Sequence, residues 1–158
     1  MKFAYVPLAT RRPVYSLAGA QFRYRPLIPL QVNGVHESRL FDCSLDSGAD
    51  DTLFPEQLAK ILGISLTGPP DEGEALPVAG RPITYAYGRV SLRLSDGFEA
   101  CEWETIVGFV AAPLVWPILG HAGFLQFFDV QLLGERHEAV LIPNASFPGI
   151  THRRPLSP

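Results

Sequence analysis

Asp46 is the side chain whose surroundings most suggest chemistry. It follows a stretch that alternates apolar and polar residues, and it opens the run Asp46-Ser47-Gly48-Ala49-Asp50-Asp51-Thr52. A carboxylate can take a proton from water, but cleaving an amide with that water also needs a group that protonates or polarises the carbonyl. Two carboxylates about 3 Å apart do both jobs, because they cannot both ionise readily and so share one proton. The chain carries no second Asp-Ser/Thr-Gly and no internal repeat, so it supplies one carboxylate of such a pair. Alone, the tripeptide reads equally as an Asx-type turn ending a strand.

Other chemistries lack their residues. His36, His121, His137 and His152 show no His-x-x-x-His spacing, and His36-Glu37 and His137-Glu138 each lack a second ligand. Ser47 is not in a Gly-x-Ser-x-Gly elbow. Cys43 and Cys101 form neither a Cys-x-x-Cys motif nor a disulfide framework and read as small buried hydrophobes. No metal and no cofactor is expected.

The elements that would position Asp46 follow from periodicity and turn chemistry. Over 38–45, Phe41, Cys43 and Leu45 alternate with Asp42 and Ser44, which predicts a strand whose polar face runs into Asp46. Before it, 25–32 reads as a strand restricted by Pro26 and Pro29 to an edge or irregular position, with Asn33-Gly34 as the hairpin turn. After it, Pro55 opens and Gly63 stops a short amphipathic helix over 55–62. A long hairpin is expected from arms at 75–79 and 83–94 with its tip near Gly80. Further strands are expected over 103–110 and 115–119, a two-turn helix over 122–128, and a last hairpin pairing 130–133 with 139–142.

Leu45-Asp46-Ser47-Gly48-Ala49-Asp50-Asp51-Thr52, the Gly80 hairpin and Ile118-Leu119-Gly120 together resemble the retropepsin-like aspartic proteases, including bacterial single-domain members, over roughly Arg25 to Pro143. The resemblance implies an all-β acid-protease domain: a closed β-barrel with a flap hairpin and one or two short helices. It puts Asp46 on the catalytic aspartate, Ser47 on the hydroxyl residue that braces two active-site loops, and Gly48 on the residue whose carbonyl meets substrate backbone. Substrate would also be met by Ser44, Ala49, Asp50 and Asp51, by the flap tip Val78, Ala79 and Gly80, and by Trp116 and Ile118, which on a strand over 115–119 would share one face. His121 stands where the viral enzymes often carry an arginine, and a pair with Asp50 is one reading of it, a solvated or capping histidine the other. The implied activity is peptide hydrolysis by a homodimer with its two-fold axis between two Asp46 side chains; the alternative is a catalytically silent peptide-binding or dimerisation module of the same fold. Simpler roles remain open for Asp50 and Asp51 as solvated acids, Trp116 as core, and Tyr85 and Tyr87 as hairpin-face packing.

Composition sets the frame. In 158 residues, 18% are charged and 29 are Gly or Pro, which favours short strands and tight turns over helical bundles or disorder. A net charge of −3 removes the electrostatic reason to expect nucleic acid or an anionic membrane as partner. No window reaches the roughly 18 apolar residues of a membrane span, and the start lacks a signal-peptide core, so a cytoplasmic protein is expected. The expected organisation is an N-terminal arm over 1–20, the protease-like domain over 21–148, and a disordered tail over 149–158.

Overall fold

The computed structural model describes residues 1–67, 73–75 and 83–153. Among these the chain is mostly β, with thirteen strands and one α-helix. In chain order these are β1 (Lys2–Ala4), β2 (Val6–Val14), β3 (Ala20–Arg25), β4 (Leu27–Asn33), β5 (Ser38–Leu45), β6 (Leu53–Pro55), α1 (Glu56–Leu62), β7 (Gly73–Ala75), β8 (Ile83–Ser95), β9 (Glu99–Val110), β10 (Ile118–Leu119), β11 (Phe128–Leu133), β12 (Glu138–Pro143) and β13 (Ile150–Arg153). Short 3-10 turns cover Tyr15–Leu17 and Leu125–Phe127.

The largest sheet runs β13-β9-β6-β10-β5-β4-β8-β7, with β8 also paired along its length to β9. A second sheet runs β1-β12-β11, and β2 with β3 forms a two-stranded ribbon. The core is filled from alternate positions of the long strands. Ile28, Leu30 and Val32 of β4 and Val90, Leu92 and Leu94 of β8 are buried, as the period of two requires. Trp103 packs among Phe124, Phe128 and Phe147. Each such fully buried large side chain contributes about 1.5–3 kcal/mol.

Helix α1 buries Leu58, Ala59 and Leu62 and ends where Gly63 takes a left-handed φ of 71°. Gly34 serves this same corner. It does not adopt a positive φ. Its bare Cα instead lies against the Leu62 backbone, and the N–H groups of Val35 and His36 donate to the Leu62 carbonyl at 2.8 and 3.2 Å.

Several expectations change. β4 is an interior strand rather than an edge, and Pro29 is tolerated because the β8 ladder begins one residue later, at Leu30. Within the expected N-terminal arm over 1–20, Lys2–Ala4 pairs with β12, and the ribbon runs past residue 20 to Arg25. The tail over 149–158 is not disordered throughout, since Ile150–Arg153 pairs with β9; Gly149 permits this because any Cβ there would collide with the Glu102 carbonyl and Trp103. Residues 154–158 lie outside the described residues. The helix over 122–128 reduces to the Leu125–Phe127 turn because Gly123 sits at φ 87°, which breaks a right-handed helix. The expected strand over 115–119 shortens to Ile118–Leu119.

Candidate active site

β5 carries its backbone straight to Asp46. β10 lies parallel beside it with Ile118 opposite Ser44 and Leu119 opposite Leu45. The Ser44 N–H donates to the Pro117 carbonyl at 2.8 Å and the Asp46 N–H to the Leu119 carbonyl at 3.1 Å, so the aspartate's main chain is fixed from the neighbouring strand. Beyond it the chain turns at once. The Gly48 N–H donates to Asp46 Oδ1 at 3.0 Å, and the Ala49 N–H donates to the Asp46 carbonyl at 3.2 Å. The Asx-type turn is therefore real, and it orients the carboxylate from below. Asp46, Ser47 and Gly48 are all exposed.

The next residues are threaded into the 120–122 segment. The His121 N–H donates to the Ala49 carbonyl at 2.9 Å, the Ala122 N–H to the Asp50 carbonyl at 2.7 Å, and the Thr52 N–H to the Ala122 carbonyl at 3.0 Å. The Gly108 N–H of β9 then donates to the Thr52 carbonyl at 2.9 Å. Gly120 is what allows the two segments to touch, because a Cβ there would overlap the carbonyls of Asp51 and Ala49. The Ile118-Leu119-Gly120 element thus supports Asp46 through its backbone.

Asp51 is half-buried and is not a free solvated acid. Its Oδ2 accepts hydrogen bonds from the Tyr85 hydroxyl at 2.5 Å and the Tyr87 hydroxyl at 3.1 Å. The two rings lie edge to face, 5.5 Å apart. Burial, followed by the hydrogen bond to Asp51, pushes the Tyr85 phenol well above its ordinary range, and burial raises Tyr87 as well. Expecting these tyrosines only to pack captured half their role: they sit two apart on one face of β8, and both hydroxyls reach a residue more than 30 positions earlier. Alternation marked the shared face. Nothing local marked the partner.

Asp50 and His121 are exposed, and no ion pair joins them among the described residues. Ile118 packs on a small apolar cluster of Leu53, Tyr85 and Val110. Trp116 is half-buried in the bend before β10, so it does not share a strand face with Ile118; the chain is still turning through Pro117 there. Ser44 is half-buried between Leu27 and Ile118. The arms of the expected flap are present in part, with β7 pairing Gly73 to Tyr85 and Ala75 to Ile83. Val78, Ala79 and Gly80 lie outside the described residues.

Cys43 and Cys101 are buried free thiols, and burial raises the thiol of each. Among the described residues no group of three or more His, Cys, Asp or Glu side chains is arranged to hold a metal ion, and no helix is long and apolar enough to cross a membrane. The chain matches no protein-family model and no curated protein.

Proposed function

We propose that this chain is an aspartic endopeptidase of the retropepsin-like type, hydrolysing peptide bonds as a homodimer through a water held between two Asp46 carboxyls. The observation that carries this reading is the bracing of an exposed Asp46-Ser47-Gly48 by Ile118-Leu119-Gly120: backbone hydrogen bonds hold the main chain of an aspartate that is exposed among the described residues. The fold inferred with it is a closed barrel. In its favour, the pairings pass from β9 through β6, β10, β5, β4 and β8 and return to β9.

In this reading one Asp46 takes a proton from the water while its mate, holding the shared proton, protonates or polarises the scissile carbonyl. Gly48 gives substrate backbone close access, and the hairpin arms of β7 and β8 carry a flap that excludes water once substrate is bound. Ile118 and its apolar cluster form one wall beside the scissile bond, and Asp51, held by Tyr85 and Tyr87, supplies a fixed acceptor near it.

The test is peptide-library cleavage across roughly pH 3 to 7 by the unaltered chain and by Asp46→Ala. Loss of about 10²–10⁴-fold in rate with an unchanged circular dichroism spectrum is expected, the range that a positioned acid or base contributes. Undiminished cleavage by Asp46→Ala overturns the proposal. A folded dimer that binds peptides without cleaving them favours a silent binding module of the same fold.

A further inference from the structure

Among the described residues the β2–β3 ribbon pairs only with itself and leaves both faces largely open, which is an unstable condition for two strands in water. Its register places Pro7 opposite Tyr24 and Ala9 opposite Phe22, so one face is a continuous apolar strip. Tyr24 is 46% and Phe22 49% exposed, and Tyr15 at the tip is 99% exposed. Among the described residues, the one aromatic contact from the ribbon to the body is at its root, where the Tyr24 ring stacks on His137 at 3.8 Å.

The ribbon is also the cationic part of the molecule. Residues 6–25 contain Arg11, Arg12, Arg23 and Arg25 and no acid, a charge of +4 on a chain of net −3, which leaves −7 on the rest. Arg25 and Arg23 lie opposite Val6 and Leu8 on the other face, so the charge belongs to the ribbon as a whole and not to its apolar strip; it still favours approach to a body of opposite sign, and the rest of this same chain carries that sign.

Its position adds the decisive constraint. β3 ends at Arg25, β4 starts at Leu27, and Leu27 pairs with Ser44, two residues before Asp46. The ribbon therefore springs from the end of the sheet that carries the exposed Asp46, and at about 3.3 Å per residue its nine-residue strand β2 reaches roughly 30 Å outward. We infer that the β2–β3 ribbon is a dimerisation arm that lays its apolar Pro7-Ala9-Phe22-Tyr24 face against the acidic body of a second copy, bringing the two Asp46 residues together. This rests on the reading that the site is completed by a second copy, and it names the surface that does so.

The register suggests a clean test. Replacing residues 8–23 by Asn-Gly joins Pro7 to Tyr24 across a tight two-residue turn and keeps the root pairs. Sedimentation of the full and shortened chains over a concentration series, with circular dichroism, melting temperature and peptide cleavage recorded on each, separates the outcomes. The expected result is a dimeric full chain and a folded, monomeric, inactive shortened chain, with Phe22→Glu in the full chain weakening the dimer at least tenfold. A shortened chain that stays dimeric overturns the inference, whether or not the ribbon then proves to bind an oligonucleotide; if that dimer still cleaves peptides, the protease reading stands. A full chain that is monomeric at every concentration also overturns it, and its cleavage assay then judges the protease reading separately. A chain that dissociates on shortening but never cleaved peptides upholds the arm and removes the protease.

Discussion

Two segments leave the same end of the large sheet and are built on opposite terms. Residues 46–52 are tied by backbone hydrogen bonds to Leu119, His121, Ala122 and Gly108, and Asp51 is tied by two tyrosine hydroxyls. The ribbon over 6–25 bonds to itself and touches the body near its root. In the proposed dimer a carboxylate has to meet its mate within a few tenths of an ångström and needs the first kind of support, since positioning errors of that size cost rate. A surface that finds a partner tolerates the second, because association itself supplies the missing contacts.

The sharpest way to break this contrast is to put the same small change into both segments. Gly120→Ala drives a Cβ into the carbonyls of Asp51 and Ala49, and we expect a loss of about 3 kcal/mol or more in urea unfolding. Gly19→Ala at the ribbon tip meets no neighbouring atom, so only the left-handed backbone at φ 82° resists it, at about 1 kcal/mol. Equal costs would mean that the site loop is no more tightly held than the ribbon.

Smaller effects are expected at Asp51. Tyr85→Phe removes a buried hydrogen bond to the carboxylate and should cost about 2 kcal/mol, with Tyr87→Phe costing less because that side chain is only half-buried. The same pair gives a pH signature. Both phenols are raised in the folded chain, so their contribution is fully present below the unfolded tyrosine range near pH 10 and is lost as pH rises through the higher folded values. In an ultraviolet titration of the five tyrosines, Tyr85 and Tyr87 should ionise last, and Tyr85→Phe should remove one late-titrating group. Ionisation of all five together would contradict the Asp51 network.

Much of this was legible in the sequence where local physics decides. The alternation of Phe41, Cys43 and Leu45 predicted β5 and delivered Asp46 to its end, and Pro55 with Gly63 bounded α1 to within a residue. Strands whose two faces are both wet give no alternating signal, which is why the sequence offers only an arm over 1–20 where the ribbon stands and a disordered tail where β13 pairs. Gly123 lies inside the expected helix over 122–128, and its φ of 87° is the local feature that ends it. The tyrosine bonds to Asp51 depend on β8 passing the site loop, a tertiary fact that no spacing encodes.

The central claim is that each chain supplies half of one active site, and subunit mixing tests it most directly. The unaltered chain is held at fixed concentration, above its dimer dissociation constant, while Asp46→Asn chain is added and allowed to exchange. If both Asp46 carboxyls are required, a ninefold excess of the variant should leave about a tenth of the original peptide-cleaving activity, since random two-fold pairing puts most active chains with an inactive mate. Cleavage that does not change under that excess, with exchange verified, would mean that one chain works alone and would contradict the account.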